Sequence, residues 1–411
     1  MFEELFVPDA IRDAVSDRAW LGGMLEFEAA LASAEAELGV IPPEAAKAIA
    51  DACAPERFDP EELGRAGRAT GNPAAPLVKA LTDAVEGDAA GYVHWGATSQ
   101  DVMDTASMLV ARQAIALVDE ELGGVAAACA RLAEEHRHTV MAGRTLLQQA
   151  VPITFGLKAA GWLVSVLDAR RRLRSVPLAV ELGGAAGTLA SLGDRGLDVL
   201  ALLAERLELE QPTLPWHASR ARVAELGGAL ALAAGAAEKI ASDVVLLAQT
   251  EVGEVAEPSG GDRGGSSTLP HKRNPVGSVL AIACATRVRA EASILLGATA
   301  HEHERAVGAW QAEWEALSGA LAYTGGAAAA MREVLDGLEV RPKRMRENLD
   351  PGVMAEAMST RLAEQVGRAE AHDRVRDAAE RGELEDLDPA SYLGSSEALV
   401  ERALERFQAE R

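Results

Sequence analysis

A glycine-rich stretch at residues 260–275 carries the densest set of reactive side chains in the sequence. It holds four glycines, two adjacent serines, a lysine and an asparagine, and long segments of helical character flank it. A segment of this kind is typical of a mobile functional loop in an otherwise regular chain. A flexible linker is the alternative, but a linker does not need the varied side chains of residues 268–275. We therefore expect chemistry here.

A second polar stretch, residues 94–106, interrupts the helical pattern near the end of the first quarter of the chain. Thr98 or Ser99 can cap the N-terminus of the long helix predicted to follow, and Asp101 favours its first turn. A helix N-terminus bearing hydroxyl groups can also bind a carboxylate. His94 could be a buried core histidine, but the nearby Gly96 indicates exposed backbone.

Two further polar stretches lie at residues 143–152 and 301–305. Arg144 and Gln148 are four apart and share a face if the segment is helical, although a polar connection between helices is the alternative. Arg305 is a candidate for anion binding. A metal site at His301 and His303 is disfavoured, because side chains two apart on a helix diverge by about 200° and the HExxH spacing is absent.

Composition limits the class of protein. The chain has 411 residues, 48% hydrophobic but only 4% aromatic, which favours an all-α fold with a core of Ala, Leu and Val. A net charge of −23 argues against nucleic-acid binding, yet a local cluster of Arg and Lys can still bind an anion. Three widely spaced cysteines and an acidic N-terminus indicate a cytoplasmic protein, and no apolar run is long enough to span a membrane.

Proline-free intervals at residues 77–151, 216–257 and 276–341 predict helices of up to ~40 residues, or ~60 Å. Residues 218–247 and 276–296 are apolar on all sides, so we expect a helical bundle that oligomerises. Residues 20–39 predict an amphipathic helix with Glu26, Glu28, Glu35 and Glu37 on its polar face. The predicted domains are residues 1–108, a central long-helix bundle at 109–350, and a C-terminal helical domain at 351–411.

Taken together, these stretches resemble the fumarase/aspartase superfamily. Its signature, Gly-Ser-Ser-x-Met-Pro-x-Lys-x-Asn-Pro, is matched by residues 265–275 with Leu269 in place of Met. Within the superfamily, the sequence is most similar to the bacterial 3-carboxy-cis,cis-muconate cycloisomerases. The last domain is shorter than is usual there, with residues missing around 381–387.

The resemblance implies an all-α homotetramer whose active sites are shared between three subunits, acting on a small polycarboxylate without cofactor or metal. It implies that Ser266 is the base and that Lys272 and the glycine-rich backbone stabilise its alkoxide. His94 is expected to polarise or orient the substrate. The residues expected to bind its carboxylates are Thr98, Ser99, Arg144, Thr145, Gln148, Asn274 and Arg305.

One departure from the superfamily bears on the reaction type. Lyases that expel water or an amine often carry His after the Arg-Thr pair, whereas here Leu146 follows and cannot donate a proton. A carboxylate leaving group has a pKa near ~4 and needs no protonation, so Leu146 favours lactonisation. The alternatives are an adenylosuccinate-lyase-like elimination on another succinyl compound, or a non-enzymatic structural relative. The presence of Ser266 and Lys272 disfavours the latter.

Overall fold

The computed structural model describes residues 2–258, 264–265, 269 and 272–410, and within them the prediction of an all-α fold is confirmed. Ser266 lies outside the described residues. Six helices precede the long ones: α1 (Phe2–Phe6), α2 (Asp9–Ala14), α3 (Asp17–Glu37), α4 (Pro43–Ala52), α5 (Pro60–Gly67) and α6 (Ala74–Ala84).

The middle of the chain forms six further helices. They are α7 (Ser99–Glu135), α8 (Phe155–Arg174), α9 (Gly196–Leu207), α10 (Ala221–Leu247), α11 (Val276–Gly297) and α12 (Ala309–Asp336). Of these, α7, α10, α11 and α12 have more than 20 residues each. With 37 residues, α7 is about 55 Å long, which confirms the predicted length. Among the described residues, no helix is both long and apolar enough to cross a membrane.

Shorter elements complete the fold. The C-terminal helices are α13 (Pro342–Glu347), α14 (Ala355–Val366), α15 (Arg368–Glu380) and α16 (Ser396–Ala409). Two small antiparallel pairs join β1 (Val140–Thr145) to β2 (Gln148–Thr154), and β3 (Val255–Ala256) to β4 (Glu339–Val340).

The chain folds into two compact units, each assembled from three separate segments. The first contains residues 1–120, 171–234 and 283–327, and the second contains residues 121–170, 235–282 and 328–411. In the first, the Trp20 indole donates to Ser318 at 2.8 Å. In the second, the Trp162 indole donates to Asp243 at 2.8 Å. The division into three sequence domains stays a prediction.

Residues 144–148 are not helical, so the suggestion that Arg144 and Gln148 share a helix face is wrong. They lie on β1 and β2, which pair antiparallel with Thr145 opposite Gln148. Leu146 and Leu147 form the two-residue turn, with φ of 52° and 65°. Positive φ at both central positions is what a right-handed twisted hairpin requires, and it turns Leu146 outward with 96% of its surface exposed.

Candidate functional site

The N-terminus of α7 organises the candidate site in the first unit. The helix begins at Ser99, and the fully buried Asp101 reaches back to accept the Thr98 N–H at 2.9 Å. The same carboxylate accepts the N–H groups of Gly183 and Gly184 at 2.9 and 3.0 Å. Asp101 therefore serves as the predicted first-turn acid, and it also ties a glycine-rich loop to the start of the helix.

Arg305 lies against this helix start. Its Nη1 donates to the Thr98 hydroxyl at 3.1 Å, and its Nη2 donates to the Ala185 carbonyl at 3.2 Å. Within the described part of the chain, its buried Nε has no hydrogen-bond partner and no carboxylate pairs with the guanidinium. A guanidinium held only by uncharged groups keeps its full charge for a ligand, so this geometry suits anion binding.

Behind Asp101 lies a buried polar cluster that sequence reasoning missed. The His217 Nε2 is 2.6 Å from Asp101 Oδ1, and Glu181 accepts the Trp216 N–H. Burial, with the charges of Asp101 and Asp104, raises the pKa of Glu181 well above its usual range.

Asp101, Glu181 and His217 offer atoms within 4.8 Å of one another, a spacing that could hold a metal ion. A tetrahedral zinc ion would separate its ligand atoms by about 3.3 Å. The direct 2.6 Å contact between Asp101 and His217 leaves no such space. We therefore interpret this cluster as a structural anchor for the helix start and the glycine-rich loop.

A second buried network crosses the same unit. Arg220 donates to both oxygens of Asp104, at 2.6 and 3.0 Å, and its Nε donates to Glu313 at 3.0 Å. Asp104 also accepts from the Trp310 indole at 2.9 Å. The network links α7, the start of α10 and α12, which fixes the helices that carry the candidate site.

A cavity of about 470 Å³ opens beside this network, lined in part by His217, His301, His303 and Glu304. The His301 Nδ1 is 3.3 Å from the His217 carbonyl oxygen, so it carries the proton and donates. Burial and the charge of Arg220 lower the pKa of His301, which keeps its ring neutral at pH 7. The cavity borders the residue before Arg305 and is large enough for a small polycarboxylate.

His94 contacts an acid on α3. Its backbone has φ of 60°, and its Nδ1 lies 2.6 Å from Oε1 of Glu28, which is 1% exposed. Glu35, two helical turns along α3, is fully buried as well. The predicted polar face of this helix is therefore wrong for Glu28 and Glu35. Burial lowers the pKa of His94, but the charge and hydrogen bond of Glu28 and the charge of Asp101 outweigh it and raise the pKa.

We expect Glu35→Gln to change how stability depends on pH. Burial, then the charge of Glu28, raises the pKa of Glu35 from 4.5 to about 9. Between these values the folded state keeps a proton that the unfolded state has lost, so rising pH favours unfolding. The wild type should lose on the order of 1 kcal/mol more than Glu35→Gln between pH 6 and 7. Urea denaturation at both pH values measures this, with exposed Glu26→Gln as control. Parallel curves for wild type and Glu35→Gln would contradict it.

The second unit holds the remaining predicted residues. Arg144 forms a two-point ion pair with the buried Glu254, at 3.0 and 2.6 Å, and Asn348 also donates to Glu254 at 2.9 Å. The Arg144 guanidinium is therefore neutralised within its own unit, which suits a role in holding the hairpin. Substrate binding by Arg144 stays a prediction.

The other described site residues of this unit are at least partly exposed. Thr145, Gln148 and Lys272 are exposed, and Asn274 is half-buried. The Asn274 N–H donates to the carbonyl of Gly264, the residue before the signature, at 2.9 Å. The catalytic role of Ser266 falls on a residue outside the described part of the chain.

Glu257, which precedes the signature, caps the N-terminus of α11, which begins just after the signature. Its carboxylate accepts the N–H groups of Gly277 and Ser278 at 2.9 and 2.8 Å, and the Ser278 hydroxyl at 2.6 Å. This acid therefore occupies the positive end of α11.

The sequence predicts roles for Thr98, Ser99 and Arg305, and these roles stay predictions. It did not indicate the buried pairs around them. The signal available for Glu28 was its spacing of seven from Glu35, which places two acids on one helical stripe. For Arg220, Glu313 and Glu254 no local signal exists, because each finds its partner far along the chain.

Comparison with known proteins places the whole chain. A model of a lyase family matches residues 7–290. A 3-carboxy-cis,cis-muconate cycloisomerase of Bradyrhizobium diazoefficiens is 45% identical, with 97% of this chain and 96% of the relative covered. A nitrosuccinate lyase of Streptomyces davaonensis is 46% identical, with 96% and 92% covered.

A solved structure is similarly close. The crystal structure of 3-carboxy-cis,cis-muconate lactonizing enzyme from Pseudomonas putida superposes with a TM-score of 0.94 at 42% identity, covering 100% of this chain and 99% of that one. The signature at residues 265–275, the fold and the relatives agree. The chain belongs to this lyase family, the fumarase/aspartase superfamily.

Proposed function

We propose that this chain is a cycloisomerase that converts 3-carboxy-cis,cis-muconate to 4-carboxymuconolactone. The type of leaving group is inferred from Leu146. It stands at the tip of the β1–β2 hairpin, fully turned to solvent, where superfamily members that expel an amine or water often have a proton donor. A leaving carboxylate needs no such donor. The close likeness to cycloisomerases and to the lactonizing enzyme supports the same function.

In the forward direction, one substrate carboxylate oxygen adds to an alkene carbon, and the proton is delivered to the neighbouring carbon. We propose that the Ser266 hydroxyl supplies this proton and that Lys272 stabilises the alkoxide left behind. In reverse, the Ser266 alkoxide removes that proton and the lactone C–O bond breaks, which releases the carboxylate. Atoms and charge balance in both directions without a cofactor or metal.

Binding of the other carboxylates falls to the N-terminus of α7. Within the described residues Arg305 has no counter-charge and lies beside the Thr98 hydroxyl, and Ser99 begins α7, whose N-terminus is the positive end of the helix dipole. We propose that these groups, with Thr145, Gln148 and Asn274, hold the substrate's carboxylates. Arg144 contributes through the hairpin that it fixes to Glu254.

We also propose a cytoplasmic homotetramer with active sites shared between subunits. Helices α10 and α11 expose large apolar side chains in the single chain: Leu232 55%, Leu246 39%, Val279 53%, Ile294 43% and Leu296 53%. Exposure of this kind along two long helices is typical of a surface that packs against further copies.

A second candidate follows from the 46% identity to a nitrosuccinate lyase. A lyase acting on nitrosuccinate would expel nitrite, a weak base that also leaves without protonation, so Leu146 does not separate it from a lactone-forming enzyme. The purified protein is expected to consume 3-carboxy-cis,cis-muconate, seen as loss of its ultraviolet absorbance, with kcat/KM at least about tenfold above that for nitrosuccinate. Faster turnover of nitrosuccinate, or of adenylosuccinate, would overturn the proposal.

A further inference from the structure

A buried pair of acids on α3 lies beneath the candidate site. Glu28 and Glu35 are seven residues apart and are 1% and 0% exposed. Their helix is buried on the same side against α4, through an apolar cluster that includes Ala32, Ile41 and Ile49. Acids are rarely placed in such surroundings without a use, because a buried charge is costly unless it is paired.

Only Glu28 of this pair has a partner. Its Oε1 lies 2.6 Å from the His94 Nδ1, whereas its Oε2 and both oxygens of Glu35 are buried with no hydrogen-bond partner in the described part of the chain. His94 keeps 16% of its side chain exposed. Among the described residues its Nε2 has no hydrogen bond, so Nε2 is the ring nitrogen left for a ligand.

An ionised carboxylate only accepts hydrogen bonds, so beside ionised Glu28 the His94 Nδ1 is the donor. A neutral His94 would then present a bare lone pair at Nε2. A lone pair repels a carboxylate. Only the imidazolium form, with a proton on both nitrogens, can donate from Nε2 to an anionic substrate.

We propose that Glu28 is a positioning residue that keeps His94 as an imidazolium cation, whose Nε2–H binds a carboxylate of the substrate. The inference rests on the proposed function for the identity of the anion, but not for the charge state of His94. The groups that act on His94 are Glu28 from α3 and Asp101 from α7. Around Glu28 lie Glu35 and Cys53, whose pKa values are both raised, first by burial and then by the charge of Glu28.

Glu28→Gln tests this with little change in shape. The Gln oxygen can still accept the Nδ1 proton, so the tautomer is preserved while the negative charge is lost. Without that charge the effect of burial prevails, and the pKa of His94 should fall by about one unit or more. NMR of protein labelled at the histidine Cε1 atoms measures it, with the His94 signal assigned through its loss in His94→Gln.

The kinetic profile should move with the titration. Because the cation binds substrate, kcat/KM falls as pH rises through the His94 pKa, and in Glu28→Gln this fall should begin about one pH unit lower. The change should be mainly in KM. Glu35→Gln is the matched control: it removes a carboxyl group that is already protonated near neutral pH, so it should move neither the His94 titration nor the kinetic profile.

The outcomes separate this proposal from the proposed function. An unmoved His94 titration in Glu28→Gln overturns the role of Glu28, even if activity falls. A lowered titration in a protein that does not consume 3-carboxy-cis,cis-muconate supports the role of Glu28 and rejects the proposed function. If Glu28→Gln does not fold, Glu28→Asp should lower the His94 pKa by a smaller amount, and an unchanged value there overturns the proposal.

Discussion

Replacing Arg220 with Met is expected to lower the free energy of unfolding by about 3–5 kcal/mol at pH 7. Arg220 is 2% exposed and supplies the cation between two buried carboxylates, Asp104 and Glu313. Met fills a similar volume but leaves both acids without a counter-charge in a low-dielectric site. The network also joins α7, the start of α10 and α12, so the loss should spread to Thr98 and Arg305, which precede α7 and α12 in the chain.

The deficit should depend on pH. Burial already raises the pKa of Glu313 against the opposing hydrogen bond and charge of Arg220. Without Arg220 the folded state would hold an extra proton on Glu313 that the unfolded state releases at neutral pH, so its stability falls as pH rises. Urea denaturation should therefore show a larger deficit at pH 7 than at pH 5.

Arg222→Met is the matched control. The Arg222 Cζ lies 5.0 Å from the centroid of the Trp216 ring, and the Arg220 Cζ lies 4.7 Å from it. Arg222 forms no ion pair with a carboxylate in the described part of the chain. Its replacement removes a similar cation–π contact and should cost less than about 1 kcal/mol. Equal losses in the two variants would show that the ion pairs with Asp104 and Glu313 are not the cause.

The long helices were predictable because their signals are local. Proline-free runs rich in Ala and Leu favour helix, and α7 and α12 follow them closely. The β1–β2 hairpin was not predictable in the same way. Its turn consists of Leu146 and Leu147, which lack the Asn and Gly that normally announce a turn with positive φ.

The same difference between local sequence signals and tertiary contacts applies to the candidate site. Thr98, Ser99 and Arg305 were predicted as site residues because they belong to recognisable stretches, and their roles stay predictions. The groups that hold them were not found, since their pairing depends on tertiary contact. Arg220 meets Asp104 across 116 positions and Glu313 across 93. Glu28 was predicted on the polar face because helical periodicity treats every Glu alike. The periodicity contains no information about His94, which lies 66 positions further along the chain.

Replacing Ser266 with Ala is expected to lower kcat for 3-carboxy-cis,cis-muconate by about 10²–10⁴-fold, because a positioned proton donor contributes that much. KM should change little, since the proposed carboxylate contacts come from Thr98, Arg305 and other groups. The neighbouring Ser267→Ala is the control for removing a hydroxyl from the same segment. Equal losses in the two variants, or full activity in Ser266→Ala, would remove Ser266 from the proposed proton transfer.

A mixing experiment extends this test to the shared active site. If Ser266 and Thr98 of one site come from different subunits, then Ser266→Ala and Thr98→Val chains that are refolded together should form some sites with neither defect. Sites with neither defect would make up about a quarter of the total in random tetramers whose sites draw on different copies, so the mixture should be more active than the mean of the two variants refolded separately. Each variant refolded alone is the control. No recovery in mixed tetramers would mean that both residues of a site come from the same chain.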